Sequence, residues 1–482
     1  MTTELEPFFD LEARARKAVA DFGFEPDFPP LILDEVARLA IATPPAGTLD
    51  FRDLLWSSID NSGTRDLDQV EYAEQLANGD IRLLVGIADV DSLVKAGSDI
   101  DLHARVNTTS LYTGVKIFPM LPEKLSTDLT SLVAGESRMA LVFDLAISDT
   151  GVVQSRNVAP ALVRNRAQLD YNSVGDWLEG RTQAPAAVKT VPGLEEQLQL
   201  QREASRRLHR FRQEHGALVF GEREASAVME GGQLRQLTVE RANCAREIIE
   251  GFMVAANIAA AQFLKNQNRP SLRRVVKAPK NWDRIREIVE ELGASLPLVP
   301  DPKPLSVFLA QRREADPAAF PDLSLSIVKL LGPGEYIVEK PDEPPEGHFG
   351  LAVQDYTHST APNRRYPDLI TQRLLKNTTP YLEPELETIA AHCNERAAAA
   401  RKLERLMRKI LAAVLLRKRI GTVFQARITG VKPHDTFARL TEFPAEGRLS
   451  KGASGLRVGD TLRVRLSAVD PNRGFIDLER VP

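Results

Sequence analysis

The sequence predicts an α+β protein in which a large domain with a mixed β-sheet lies between a small helical region and a terminal five-stranded β-barrel. Three observations carry that expectation. Strand-like text crowds into residues 51–90, long helical text follows at 194–215, 244–266, 281–292 and 366–377, and short β segments return after residue 420. At 482 residues and 43% hydrophobic, the chain is too long for one compact core and too apolar for disorder.

Residues 8–22 carry Phe9, Leu11, Ala15, Ala18 and Phe22 at spacings of two to four, which predicts a helix. A second short helix is expected over 31–40, after Pro29-Pro30. Residues 1–48 therefore read as a small helical domain, helix-turn-helix-like in outline. Thr43-Pro44-Pro45-Ala46-Gly47 breaks the chain and sets the boundary. The main domain is expected over 49–380, with strands at 54–59, 70–76 and 81–90, the last two joined by an Asn78-Gly79 hairpin signal. Residues 381–419 read as connecting helices with a basic end at Arg401-Lys402, Arg405, Arg408-Lys409 and Arg417-Lys418-Arg419. Over 420–482, β segments at 421–430, 436–440, 448–449, 461–469 and 474–478 alternate with Pro, Gly and Asp turns, as a small barrel requires. No long-period repeat is present, and the only biased tract is the Pro/Glu/Asp loop at 341–346.

The net charge of −4 and a pI near 6.1 exclude nucleic-acid binding through the whole surface, so any such contact needs a local basic groove. The barrel segment from Gly421 onward is locally basic, with ten Lys or Arg against seven Asp or Glu. Cys244 and Cys393 stand far apart with no other sulfur ligands, which excludes a cysteine zinc site and fits a reducing compartment. The acidic start Met1-Thr2-Thr3-Glu4-Leu5-Glu6 lacks the basic and apolar regions of a signal peptide. No stretch reads as the roughly 20 apolar residues of a bilayer span. The expectation is a soluble, cytoplasmic monomer.

The chemistry-bearing segment is Ile59-Asp60-Asn61-Ser62-Gly63-Thr64-Arg65-Asp66-Leu67-Asp68-Gln69, which packs three carboxylates into nine residues between two strands. Such crowding is costly unless a cation sits among the carboxylates, and a hard divalent ion is the natural candidate. Two other readings stand beside it. One is a solvated turn. The other is a calcium loop, since Asp60, Ser62, Thr64, Asp68 and Glu71 occupy positions one, three, five, nine and twelve of an EF-hand; Arg65 at position six and the flanking strands speak against it.

Further motifs narrow the choice. Ile59-Asp60 with Asp66 and Asp68 is followed by Val85-Gly86-Ile87-Ala88-Asp89-Val90, then Pro119-Met120-Leu121-Pro122 with Leu125-Ser126. Far along stands Tyr356-Thr357-His358-Ser359-Thr360-Ala361-Pro362-Asn363-Arg364-Arg365-Tyr366-Pro367-Asp368-Leu369. In this order, over about residues 50–380, the text resembles the RNB catalytic domain of the ribonuclease II and ribonuclease R family, and 420–482 resembles the S1-type OB-fold that usually closes those enzymes.

The resemblance implies a magnesium-dependent 3′-to-5′ exoribonuclease that hydrolyses single-stranded RNA to nucleoside 5′-monophosphates. It implies magnesium ligands at Asp60, Asp66, Asp68 and position 69, with Arg364 on the scissile phosphate, where a guanidinium offers two parallel donors and stays charged. Arg365 adjoins it in the same run. Tyr112, seven residues before Pro119-Met120, and Phe220, closing His215-Gly216-Ala217-Leu218-Val219-Phe220, match aromatics that stack on bases. Tyr171 and Glu250 match residues that contact ribose, and a carboxylate accepting from a 2′-hydroxyl distinguishes RNA from DNA. Glu250, set in an apolar helix, is expected to need a partner.

Two departures stand out. The family's fourth aspartate is Gln69 here, which removes one negative charge and predicts weaker magnesium affinity. It also raises the alternative of a catalytically weak or inactive RNB-fold RNA-binding protein. The second departure is the helical start, since residues 1–45 cannot encode the cold-shock OB-folds that commonly precede this domain.

Overall fold

The computed structural model describes residues 9–221, 225–230, 233–239, 242–317, 319–340, 345–432 and 434–481. The acidic N-terminal residues and most of the 341–346 loop lie outside them.

Two helices open the described chain. Helix α1 (Leu11–Asp21) starts where the Asp10 carboxylate accepts from Ala13 N at 2.9 Å, and α2 (Pro30–Arg38) begins on a proline, whose missing N–H costs nothing in a first turn. They pack on different cores. Leu11, Ala15, Ala18 and Val19 join Leu111, Phe118, Leu403 and Met407, whereas Ile32 and Val36 join the main core beside Ile100 and Ala104. Each helix thus spends its apolar face on a partner elsewhere in the chain.

Strands β1 (Leu49–Asp50), β2 (Ser57–Asp60), β3 (Gln69–Gln75) and β4 (Ile81–Ala88) come next. After α3 (Asp99–Asn107), a small ribbon of β5 (Leu111–Tyr112) and β6 (Ile117–Phe118) precedes β7 (Ser137–Ile147), β8 (Val153–Arg164) and β9 (Ala167–Asp170). The seven-stranded sheet runs β1-β8-β7-β4-β3-β2-β9, with parallel pairs at β1–β8 and β2–β9 and antiparallel pairs between. Both faces are covered, and the side chains alternate between two cores. Leu83, Val85 and Ile87 face one, with Leu141, Phe143 and Leu145. Leu84 and Ala88 face the other, with Trp56, Val70, Ala140 and Val142.

Helices α4 (Tyr171–Leu178), α5 (Ala186–Lys189) and α6 (Leu194–Glu214) follow, then the β10 (Ala225–Glu230) and β11 (Gln233–Val239) hairpin, then α7 (Cys244–Asn266). Helices α6 and α7 cover the first face through Leu194, Leu198, Ala204, Ile248, Phe252 and Ala256. By length and composition α7 is long and apolar enough to cross a bilayer, contrary to the sequence expectation, but two-thirds of its apolar window is buried inside the protein. Strand β12 (Ser271–Val275) pairs with β13 (Glu335–Glu339), and between them α8 (Trp282–Glu291), α9 (Pro302–Ala315) and α10 (Phe320–Leu331) share a core of their own. The sequence reading anticipated only the first of these three helices.

Helix α11 (Tyr366–Lys376) is almost wholly buried, and the 34-residue α12 (Glu383–Leu416) carries the chain to the end. There β14 (Val423–Val431), β15 (Thr436–Leu440), β16 (Glu446–Lys451), β17 (Thr461–Asp470) and β18 (Phe475–Arg480) close a five-stranded barrel in the order β14-β15-β16-β18-β17. Its core of Phe424, Ile428, Leu440, Val464, Leu466 and Leu478 merges with Ala412, Ala413 and Leu416 of α12, so the barrel is seated on that helix.

Candidate active site

The acid loop joins β2 to β3 at one end of the sheet. Asp60 is the last residue of β2, opposite Asp170 of β9, and its Oδ1 accepts from Asn61 N at 2.6 Å and from the Thr64 hydroxyl at 3.0 Å. Gly63, at φ +84°, makes the turn, a conformation that costs other residues appreciable strain. The return limb is pinned from behind: Leu67 N donates to Ser131 Oγ at 3.0 Å, Ser131 Oγ donates to Arg65 O at 2.6 Å, and Ala88 N donates to Asp68 O at 2.9 Å. Asp68 is thus driven into the interior, 1% exposed.

A second segment, far along the chain, meets it there. Asn363 N donates to Asp68 Oδ1 at 3.2 Å, and Arg364 Nε donates to Asp68 Oδ2 at 2.9 Å, while the rest of the Arg364 side chain stays 43% exposed. Thr130 Oγ donates to Asn363 Oδ1 at 2.6 Å, fixing that segment. Its backbone runs beside the segment leading into β5: Tyr366 N donates to Thr108 O at 2.8 Å, and Ser110 N donates to Arg364 O at 3.0 Å. That pairing brings Tyr112, 41% exposed, beside the Arg364 guanidinium. An aromatic face open to solvent, a charged guanidinium and a buried carboxylate therefore converge from three distant parts of the sequence.

The electrostatics follow from burial. Burial, helped by the Asp66 charge and opposed by Arg364, pushes the Asp68 carboxyl up to about 6. The Asp66 carboxyl is also raised, chiefly by burial, with Asp60 adding repulsion. Glu71 is raised well above the usual carboxylate range by complete burial and by Asp60. Burial raises the Tyr112 hydroxyl. On the other side of Asp60, the Arg246 guanidinium lies 4.5 Å over the Tyr171 ring, and its Nη2 donates to Asn61 Oδ1 at 2.9 Å.

The sequence-predicted residues divide into two groups. Asp60, Asp66, Asp68, Arg364, Tyr112 and Tyr171 lie in one neighbourhood, each within electrostatic reach of others in the group. Gln69, 3% exposed, opens β3 on the helix-covered side, opposite Ile87. Arg365 pairs within the protein through Nη2, which donates to Asp368 Oδ1 at 2.6 Å. Glu250, expected to need a partner, has Arg212 Nη1 at 3.5 Å, and its side chain is 66% exposed. Residues 217–220 form no strand, and Phe220 packs against the core of α8 to α10. Sequence reasoning missed Asn363 as a partner of Asp68, Arg246 over Tyr171, and Glu71 as a buried acid.

Among the described residues, no three His, Cys, Asp or Glu side chains are gathered closely enough to hold a metal ion between them. Asp60 and Asp68 spend oxygens on internal hydrogen bonds instead. The donor chemistry still fits a hard divalent cation: the groups are oxygen donors, Asp68 is buried, Asp60 and Asp66 are half-buried, and both oxygens of buried Glu71 lack a hydrogen-bond partner.

Fold and site together define an α+β domain, with an acidic loop at one end of its seven-stranded sheet, joined to a closed five-stranded barrel. The RNB domain matches residues 48–379 and the RNase II-type exonuclease C-terminal S1 domain matches residues 422–481; the chain belongs to the RNB family. Ribonuclease R of Escherichia coli strain K12 is 30% identical over 501 aligned residues, which cover 94% of this chain and 60% of that protein. The chain thus spans well under two-thirds of that relative's length. Mycoplasma genitalium RNase R, solved with ribose-methylated single-stranded RNA, superposes with a TM-score of 0.89 at 24% identity, covering 98% of this chain and 78% of the other. Yeast Ssd1, described as a pseudonuclease, superposes with a TM-score of 0.72 at 17% identity, covering 96% and 58%.

Proposed function

We propose that the chain is a divalent-metal-dependent exoribonuclease that hydrolyses single-stranded RNA from its 3′ end to nucleoside 5′-monophosphates. One observation carries the reading: buried Asp68 holds the Arg364 guanidinium beside the exposed ring of Tyr112. That arrangement supplies a phosphate contact and a base platform side by side.

In this reading the terminal base stacks on Tyr112, which tolerates any base. Arg364, oriented by Asp68, donates to the scissile phosphate and stabilises the charge gained in the transition state. Asp60, Asp66, Asp68 and Gln69 would hold the magnesium ion, which when bound lowers the pKa of water and neutralises phosphate charge. Tyr171, held under Arg246, and Glu250 are assigned to the ribose of the bound strand, Arg365 to its backbone and Phe220 to a base. The division at residues 48, 380 and 419 and a cytoplasmic monomer belong to the same reading, and sizing chromatography of the full chain should show the monomer.

The second reading, an RNB-fold RNA binder without catalysis, is favoured by Gln69 and by the lack of a gathered carboxylate set among the described residues. Incubating 5′-labelled single-stranded RNA with the protein, with and without magnesium, separates the two. Short end products that require the metal support the enzyme, and a shifted but uncut strand supports the binder. Asp68→Asn should retain RNA binding and abolish mononucleotide release; release at most of the wild-type rate would refute the assignment of Asp68.

A further inference from the structure

Gln69 leaves the site one negative charge short, and two residues further along the same face of β3 stands Glu71. Alternation along a strand puts side chains i and i+2 on one side, roughly 7 Å apart. Glu71 is completely buried, yet neither carboxylate oxygen has a hydrogen-bond partner among the described residues. Elsewhere the fold pairs its buried acids: Asp68 has Arg364, Asp89 has Lys376 at 2.7 Å, and Asp91 has Arg373 at 3.2 Å. A buried carboxylate without a partner is costly enough to call for an explanation.

Its surroundings offer one. Glu71 lies opposite Ser57 of β2, the strand that ends at Asp60, and the neighbours it acts on electrostatically are Asp60 and Tyr171. Above it, α6 presents Gln201, whose Nε2 lies 3.4 Å from Glu71 O and whose Oε1 is also unpartnered. The buried Glu71 carboxylate therefore lies within electrostatic reach of Asp60, the half-buried first acid of the loop, and neither of its oxygens has a hydrogen-bond partner among the described residues.

We infer that Glu71 supplies the carboxylate that position 69 lacks, helping Asp60 to hold a divalent cation from the helix-covered side of the sheet. This rests on the metal-dependent reading above. Moving the acid two residues along the strand keeps it on the same face, and glutamate's extra methylene extends its reach. The competing explanation is a protonated Glu71 that fills space and donates to Gln201 Oε1.

Manganese binding to the full-length chain, read by electron paramagnetic resonance of free Mn²⁺ and by the Tm gained on adding Mn²⁺, tests the inference without using activity. Glu71→Gln keeps the shape and removes the charge. It is expected to weaken Mn²⁺ binding tenfold or more while leaving the metal-free Tm unchanged or higher, and Gln69→Ala should weaken it less. Gln69→Asp in the Glu71→Gln background should restore binding. A change of less than threefold in Glu71→Gln, or a larger loss in Gln69→Ala, overturns the role of Glu71 and leaves the metal-dependent reading standing. Failure of the wild-type chain to bind Mn²⁺ at millimolar concentration overturns both. Should Glu71→Gln not fold, Glu71→Asp withdraws the carboxylate by one methylene and is expected to weaken binding severalfold; unchanged binding there overturns the inference as well.

Discussion

Replacing Arg364 with alanine should separate what this residue does for the fold from what it does for the bound phosphate. In the protein, Arg364 Nε sits 2.9 Å from a carboxylate that is only 1% exposed, so its removal strands Asp68 without a counter-cation. Breaking a fully buried ion pair costs about 3–5 kcal/mol. The Arg364 side chain is 43% exposed and water screens the pair, so the expected loss is about 1–2 kcal/mol. The catalytic loss should be larger, because removing one preorganised donor to a developing charge costs about 10²–10³ in rate. The assay is single-turnover release of mononucleotide from labelled RNA at saturating enzyme, with urea unfolding in EDTA alongside. Pairing Arg364→Ala with Asp68→Asn removes the stranded charge, and the double variant should regain most of the lost stability while remaining inactive. Cleavage by Arg364→Ala within tenfold of wild type, or a double variant no more stable than Arg364→Ala, would refute the reasoning.

Two further expectations follow from the same geometry. Tyr112→Ala removes a 41% exposed ring beside Arg364; with stacking worth about 1–3 kcal/mol per base, RNA binding followed by anisotropy without metal should weaken roughly tenfold to a hundredfold. Tyr112→Phe should bind nearly as wild type, and equal binding by the alanine variant would contradict the stacking role. The other concerns His348, which burial and then Arg274 hold down at about 4, against 6.5 for the free side chain. A depressed histidine is neutral in the folded state, so its contribution is present above pH 6.5 and is lost as pH falls toward 4. The gap corresponds to at most about 3 kcal/mol. His348→Asn, which keeps an acceptor for Leu351 N, should lose less stability than wild type between pH 7 and pH 4 in urea titrations; parallel curves would count against it.

How far the sequence revealed this molecule depends on whether the physics was local. The acid loop was legible because three aspartates and Gly63 are contiguous, and the helices at 194–215, 244–266 and 366–377 because their apolar spacing is periodic over many residues. The N-terminal helices were legible as helices but not as partners, since Leu11 and Ile32 look alike in sequence and pack on different cores. The sequence showed that Glu250, an acid in apolar helical text, needs a partner, but not that the partner is Arg212 on the neighbouring helix α6. Asn363 lies in the recognised 356–369 run, but nothing local names Asp68 as its partner, and Arg246 carries no local signal. Their roles exist only once 363–366 is paired with 108–112 and α7 is laid beside the end of β2.

Glu71 shows the same limit from the opposite side. In the sequence it sits in Val70-Glu71-Tyr72-Ala73-Glu74, where an alternating acid reads as the wet side of a half-exposed strand. Burial is decided instead by α6, whose Gln197 bonds the backbone of Ala73 through both ends of its amide, at 2.5 Å and 2.7 Å, and so clamps the helix over that face. Once the helix is in place, Glu71 cannot turn to water, and Asp68 is enclosed by segments that close over it from behind. Such burial weakens the free protein, because carboxylates at this end of the sheet lie near one another and, among the described residues, Glu71 has no hydrogen-bond partner while Asp68 is paired with Arg364. The same burial strengthens attraction to any cation that enters, since the local dielectric is low. A loop built to stay stable without a ligand would place these acids in solvent at no cost. That this fold buries them makes a solvated turn the weakest of the three readings of the segment.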